Sequence, residues 1–433
     1  MQRATSKGFR LHIGFFGRRN VGKSSLLNAV TRQTVSIVSD VPGTTTDPVE
    51  KPMELQTIGP VLFVDTAGVD DVGALGAQRI EKTRQAIACT DIGVLVTEAG
   101  VWGDFEEKLL SELRSHEIPT IVALNKVDLQ KPRASQLARF QSEKLEVVFL
   151  SAATGEGVGE FREKLSQAAP KDASESPAII RDLVLPGDTA VLVMPIDKEA
   201  PKGRIKNLQV QAIRDLLDGE SSCIVVKDAG LEKMLDNMKT PPSLVVTDAQ
   251  VFDKVAQVTP HGVPLTAFSI LLSRLKGDLV SQTLAALTIE ELRPGDKVLI
   301  AETCTHHPIE EDIGRVKIPR WLRQYVGGEL EFTHVRGRDF PQDLSPYKLV
   351  IHCGACMWNR QEMMSRIREC QRQQVPITNY GLVIAMAQGI LERALQPFPE
   401  ALAAFRDAQD ARTQNQATLP QLDASEAGAA LVN

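Results

Sequence analysis

The chain has 433 residues, 43% of them hydrophobic and 24% charged, with 49 Lys and Arg against 55 Asp and Glu and a net charge of −6. That length allows two to four domains, each able to bury its own core. The acidic balance, and the lack of a basic stretch with interleaved aromatics, exclude nucleic acid and anionic membrane as expected partners. No apolar run reaches the roughly 18 residues of a membrane span. The N-terminal "MQRATSKGFRLHIGFFG" runs straight into a glycine-rich motif and does not read as a signal peptide.

Strand-like apolar runs alternate with helical patterns along most of the chain, which predicts an α/β fold with largely parallel sheets. Residues 1–168 form the first block, with strands at "LHIGFFG", "VLFVDTAG", "DIGVLVTE", "PTIVALNKVD" and "LEVVFLSA". A Pro-, Ser- and charge-rich linker occupies 169–178. The second block, 179–266, has strands at "TAVLVMPI", "SCIVVK" and "SLVVTD" but no chemical motif, and reads as a dimerisation module. The third, 267–404, has strands at "DKVLIAE", "LEFTHV" and "YKLVIH". From 405 to 433 the composition turns polar and reads as a mobile tail.

"GRRNVGKS", Gly17 to Ser24, fits G-x-x-x-x-G-K-[ST] between a strand and a helix. Gly17, Asn20, Val21, Gly22, Lys23, Ser24 and Ser25 then wrap backbone N–H groups around a β-phosphate at a helix N-terminus. Lys23 neutralises the β- and γ-phosphates and the Ser24 hydroxyl ligates Mg²⁺. In "DTAG", Asp65 holds Mg²⁺ through water and the Gly68 N–H senses the γ-phosphate. In "NKVD", Asn125, Lys126 and Asp128 supply a base pocket that Ser151 and Ala152 of "SAATG" complete. The Asp128 carboxylate pairs with the N1–H and exocyclic amine of guanine; adenine lacks both donors and leaves a carboxylate unpaired. The ligand is therefore GTP or GDP with Mg²⁺.

Order and spacing of these motifs resemble the translation-factor-like GTPases, and "DVPGTTTDP" resembles the G-T-T-R-D segment of the Era/TrmE-like branch. The resemblance puts Thr45 on the Mg²⁺-binding threonine, with Lys23, Thr45, Asp65 and Gly68 as the catalytic set. Thr46 stands where that segment has Arg, and Val69 stands where Ras-like enzymes carry a water-orienting Gln. Slow, cation-stimulated hydrolysis follows. Asn20 occupies the position that coordinates K⁺ in some members of the branch.

Six cysteines over this length argue for a reducing compartment, the cytoplasm, rather than a disulfide scaffold. Cys89 and Cys223 sit in apolar stretches and Cys370 on a helix face. Cys304 in "ETCTHHP" and Cys353 and Cys356 in "HCGAC" each follow a strand, where a parallel sheet gathers its functional groups. A redox C-x-x-C explains neither Cys304 nor His306 and His352. A closed zinc site of Cys304, His306, Cys353 and Cys356 fits the spacing as well as an iron–sulfur cluster does. His307 and His334 read as bystanders.

A C-x-H, 45 residues (307 to 351), then H-C-x-x-C, behind an Era-like GTPase and a middle α/β module, closely resembles the FeFe-hydrogenase maturation GTPases, the HydF family. The resemblance implies a 4Fe–4S cluster on Cys304, Cys353 and Cys356, with His352 or His306 at the fourth position or donating to it. It implies a homodimer working as scaffold or carrier for the diiron precursor of the hydrogenase active site. Its partners are two radical-SAM maturases and apo FeFe-hydrogenase. The contrasting expectation is an Era-like ribosome or tRNA GTPase with a structural Cys₃His zinc domain, against which the acidic balance counts.

Overall fold

The structure is a computed structural model and describes residues 7–31, 49–55, 57–66, 82–169, 178–196, 205–303 and 312–418. The first unit comprises β1 (Leu11–Phe16), α1 (Lys23–Thr31), β2 (Val49–Leu55), β3 (Gly59–Asp65), α2 (82–88), β4 (Ile92–Glu98), α3 (Asp104–Ser115), β5 (Thr120–Asn125), α4 (Ala134–Ser142), β6 (Glu146–Phe149) and α5 (Val158–Ala168). Its six strands lie in the order β2-β3-β1-β4-β5-β6, all parallel except the β2–β3 pair. The chain moves from β1 to one side for β3 and to the other for β4, and a ligand crevice opens at such a reversal. Phe15 packs edge-on against Phe63 at 5.7 Å between centroids, with Phe161 of α5 at 6.5 Å, and all three are fully buried. Burying each such ring contributes about 1.5–3 kcal/mol.

The second unit has β7 (Thr189–Val193), α6 (Asn207–Asp218), β8 (Ser222–Val226), α7 (Leu231–Asp236), β9 (Leu244–Thr247), α8 (Phe252–Val258), β10 (Leu265–Ala267), α9 (Phe268–Lys276) and α10 (Leu279–Ala286). The third has β11 (Lys297–Glu302), α11 (Ile318–Val326), β12 (Glu331–Arg336), β13 (Leu349–His352), α12 (Arg360–Arg372), β14 (Ile377–Asn379), α13 (Tyr380–Ala387), α14 (Leu391–Leu395) and α15 (Pro399–Thr418). Each of these units has a four-stranded parallel sheet, ordered β10-β9-β7-β8 and β12-β11-β13-β14.

The two sheets share one apolar core. It runs through Val191, Val246, Leu271, Ile300, Ile351 and Val383 without a break. α13, with the sequence YGLVIAMA, is buried on every side, as a helix must be when it has no polar face. The stretch from 405, expected as a tail, continues α15 to Thr418, because Phe405 is buried in the core and Arg412 pairs with Glu290 and Glu291.

A polar seam joins the first unit to the third. Asn359 Nδ2 donates to the Cys89 carbonyl at 2.8 Å and to Asp91 Oδ2 at 2.9 Å, and Gln361 Nε2 donates to the His116 carbonyl at 3.0 Å. The same Asp91 oxygen accepts the His12 N–H at 2.8 Å. Burial pushes the Asp91 carboxyl up to about 6, against the pull of these two donors. Its folded pKa thus lies above the unfolded value, so the ionised carboxylate is disfavoured in the fold. The penalty is full above pH 6 and is relieved as pH falls toward 3.8. Asp91→Asn keeps an oxygen for both donors and removes the charge. It is expected to stabilise the protein at pH 7 by about 1–2 kcal/mol, discounted for the partial exposure of the residue. Urea unfolding at pH 7 and pH 4 checks this, because the advantage must vanish at the lower pH.

Candidate functional site

The phosphate loop is built on close backbone approach. Gly17 has φ 143° and a side chain there would meet the Val96 carbonyl at 2.2 Å, so glycine is required. Gly22 has φ 89° and a Cβ would strike Asn125 Nδ2 at 2.3 Å. Lys23 is buried, and its Nζ donates to the carbonyls of Gly17 at 3.0 Å and Arg18 at 2.7 Å. The ammonium is thereby held over the loop. Ser24 Oγ donates to Asp65 Oδ2 at 2.6 Å, which brings together the hydroxyl and the carboxylate expected to share Mg²⁺. Ser25 follows in the first turn of α1. Thr45 and Gly68 lie outside the described residues.

The base-pocket residues brace this loop. Asn125 Nδ2 donates to the Val21 carbonyl at 2.8 Å, and its Oδ1 accepts the Ala152 N–H at 2.9 Å. One side chain thus ties the phosphate loop to the "SAATG" turn. Lys126 Nζ donates to the Asn20 carbonyl at 2.7 Å and pairs with Glu98. Both Asn20 (φ 58°) and Lys126 (φ 62°) take left-handed backbone that most side chains avoid. Asp128 is exposed, and Ser151 is buried with its Oγ accepting the Thr154 N–H. Sequence reasoning missed Arg18. Its guanidinium makes a two-point pair with the buried Glu106 at 2.6 and 3.0 Å and lies over the Phe105 ring, tying the loop to α3.

The thiol pair follows β13. The Cys353 N–H donates to the Ala301 carbonyl at 2.9 Å, which continues the sheet into the loop. Its Sγ faces the Thr303 N–H at 3.2 Å and the Thr303 Oγ1 at 3.4 Å. An amide donating to the sulfur, with a hydroxyl in contact beside it, suits a thiolate carrying metal. Ala355 has φ 50° and is buried, and Cys356 is exposed. Cys304 and His306 lie outside the described residues, as does His307. Among the described residues no three His, Cys, Asp or Glu side chains converge as a metal site. The chemistry present, two thiols at a strand end with an amide donor and a hydroxyl contact on one of them, fits a thiolate-bound cluster.

His352 is fully buried, and both its ring nitrogens are engaged. Nε2 accepts from Arg366 at 2.9 Å, which leaves Nδ1 to donate to the Cys353 carbonyl at 2.7 Å. Burial and the Arg366 charge hold the imidazole down at about 3, so it is neutral. The ring orients the loop. α12 starts at Arg360, because Asn359 caps it by accepting the Glu362 N–H. Cys370 is buried with its thiol pushed up to about 12 by burial, and Cys89 is held likewise at about 12, so both are inert core groups. His334 Nε2 contacts the Gly314 carbonyl at 3.1 Å.

Sequence reasoning also missed Lys276, at the end of α9. It is 2% exposed, and its Nζ donates to the carbonyls of Ala355 at 3.1 Å, Cys356 at 3.3 Å and Trp358 at 2.5 Å. Burial pulls the ammonium down to about 8, with the Cys356 and Cys353 thiolates pulling it up.

Comparison with known proteins covers the chain in three pieces. The family model described as "50S ribosome-binding GTPase" matches residues 12–126, "Hydrogen maturase F dimerization domain" matches 179–277, and "Hydrogen maturase F tetramerization domain" matches 281–397. The tRNA modification GTPase MnmE of Prochlorococcus marinus (strain MIT 9303) is 38% identical over 173 residues, 39% of this chain and 36% of the relative. GTPase Der of Solidesulfovibrio magneticus is 32% identical over 221 residues, 50% of this chain and 47% of the relative. The chain thus spans less than half the length of these curated relatives. Among solved structures, Era in complex with MgGDPNP and nucleotides 1506-1542 of 16S ribosomal RNA is 19% identical with a TM-score of 0.34, over 50% of this chain and 91% of that one. The G domain of the T. maritima FeoB iron transporter is 26% identical with a TM-score of 0.30, over 37% of this chain and 99% of that one. Two adjoining modules of hydrogen maturase F behind a GTPase domain make this chain a member of the HydF-type hydrogenase maturation GTPases.

Proposed function

We propose that the protein is a GTP-hydrolysing scaffold that binds a 4Fe–4S cluster through Cys304, Cys353 and Cys356. It carries the diiron precursor to apo FeFe-hydrogenase, with two radical-SAM maturases as its other partners. The observation that carries this reading is the Cys353–Cys356 loop after β13, with the Thr303 N–H donating to the Cys353 sulfur, in a chain that also holds the phosphate loop and the expected guanine pocket. In the first unit, Lys23 offsets the phosphate charge, Ser24 and Asp65 present oxygen ligands for Mg²⁺, and Asp128 reads guanine. Thr45 and Gly68 are assigned their roles by the motif. Asn20 is the proposed K⁺ ligand.

When bound, the cluster supplies an iron corner without a cysteine, able to accept a bridging ligand. His352, the histidine favoured near that corner, has both ring nitrogens engaged and orients the loop through the Cys353 carbonyl, so it does not ligate iron in this arrangement; His306 stays the lesser candidate. The edge strand β8 exposes Val225 and α6 exposes Leu217, apolar side chains that favour self-association through the second unit. No described helix is long and apolar enough to cross a membrane. The cysteine usage supports placing the protein in a reducing cytoplasm.

The competing zinc reading fits the cysteine–histidine spacing as well as the cluster does, and its ribosome or tRNA side rests on the likeness of the GTPase domain alone. Anaerobic purification with iron, sulfide and zinc analysis separates the two. About four iron and four sulfide per chain are expected, whereas a colourless protein with one zinc overturns the cluster. In the same preparation GTP turnover is expected to be faster in K⁺ than in Na⁺, and equal rates remove the Asn20 assignment.

A further inference from the structure

Lys276 sits where the three units meet. It closes α9 after the second sheet, its Nζ lies 4.5 Å from the centroid of the Phe9 ring in the first unit, and its three hydrogen bonds go to the loop of the third. Among the described residues the ammonium forms no ion pair with a carboxylate. A buried cation without a compensating anion is costly, because desolvation takes away the solvation that water supplied. The negative charges that pull on it are those of ionised Cys356 and Cys353, the proposed metal ligands, and of Glu362.

The carbonyls that Lys276 gathers belong to residues 355, 356 and 358, and Ala355 holds left-handed backbone at φ 50°. Such a conformation persists only where the surroundings over-determine it. One ammonium therefore does two things at once. It holds the turn that carries the two cysteines, and it sets a positive charge against the backbone of Ala355 and Cys356.

We propose that Lys276 is a positioning residue for the metal centre: it clamps the Cys353–Cys356 turn in its ligating shape and offsets the anionic charge of the thiolate-bound cluster. The inference rests on the cluster-binding reading above. A fixed cation beside an anionic cluster favours the reduced form, and removing it moves the potential downward.

The test compares Lys276→Gln, Lys276→Met and Lys276→Arg with the wild type, in the full-length protein purified anaerobically. Gln keeps a donor for the carbonyls without the charge, Met keeps neither, and Arg keeps both. In an EPR-monitored redox titration, Gln and Met are expected to show about tenfold less reduced cluster at a fixed potential near the wild-type midpoint. Arg is expected to stay close to wild type. Metal release to a chelator is expected to be several-fold faster in Met than in Gln, and GTP turnover unchanged in all three. A wild-type midpoint in both Gln and Met overturns the charge role. Equal release from Met and wild type overturns the clamp. If Met takes up no metal, Arg must still load at the wild-type potential, and its failure to do so counts against the proposal. Wild-type protein carrying zinc overturns the proposed function and the charge role together, and the clamp is then decided by the zinc release rates.

Discussion

Lys23→Ala is expected to lower GTP turnover by a factor of about 10²–10³ while leaving iron and sulfide content at the wild-type level. The loop holds the ammonium in place through the Gly17 and Arg18 carbonyls. Removing a preorganised charge that acts on developing phosphoryl charge costs rate on this scale. The fold should survive, since the fully buried Leu26 and Leu27 that anchor α1 are untouched. Phosphate-release kinetics measure the first effect and colorimetric iron analysis of the same preparation the second. Loss of iron from this variant would show that nucleotide chemistry and cluster assembly are one process in the isolated protein, contrary to their separate placement at the ends of two different sheets.

Cys353→Ser is expected to do the reverse. Serine matches cysteine in size and keeps the contact with Thr303, but at neutral pH its hydroxyl is protonated and is a poor ligand for iron. Bound iron should fall below about a tenth of the wild-type value, with the visible absorption of the cluster gone and GTP turnover within twofold. Cys370→Ser serves as the contrast. Its thiol is buried against Ile367 and Ile377, so the change disturbs packing and leaves iron in place. Equal iron loss from both variants would mean that the effect travels through stability rather than ligation.

The parts of this molecule that could be read from sequence are those in which chemistry and chain order coincide. The phosphate loop joins a strand to a helix without a break, so spacing alone locates Gly17 to Ser24. Asp65 and Asn125 close their strands, and strand ends are where parallel sheets collect ligands. β2 escaped because "VEKPMEL" carries a proline and three charges and lies at an edge, where neither alternation nor apolar content stands out. β14 has only three residues. The start of α12 was legible in principle, since Asn359 followed by Glu362 is a capping pattern. Lys276 was not legible. A lysine before a glycine at the end of a helix reads as a solvated charge at the helix C-terminus, and only tertiary contacts put carbonyls from 79 to 82 residues further along the chain around it. The same holds for Asn359 and Cys89, which are 270 residues apart.

The apolar core shared by the second and third sheets has a consequence for dissection. Leu271, Leu272 and Leu275 of α9 belong to the same cluster as Val191 and Val246 on one side and Ile351 and Val383 on the other. No cut between residues 266 and 281 leaves both halves with a closed interior. The self-association module and the thiol-bearing module are therefore one thermodynamic body. Hydrogen exchange and limited proteolysis should find a single opening event across residues 179–405. Shuffling either module alone into another chain would carry half of an interior with it.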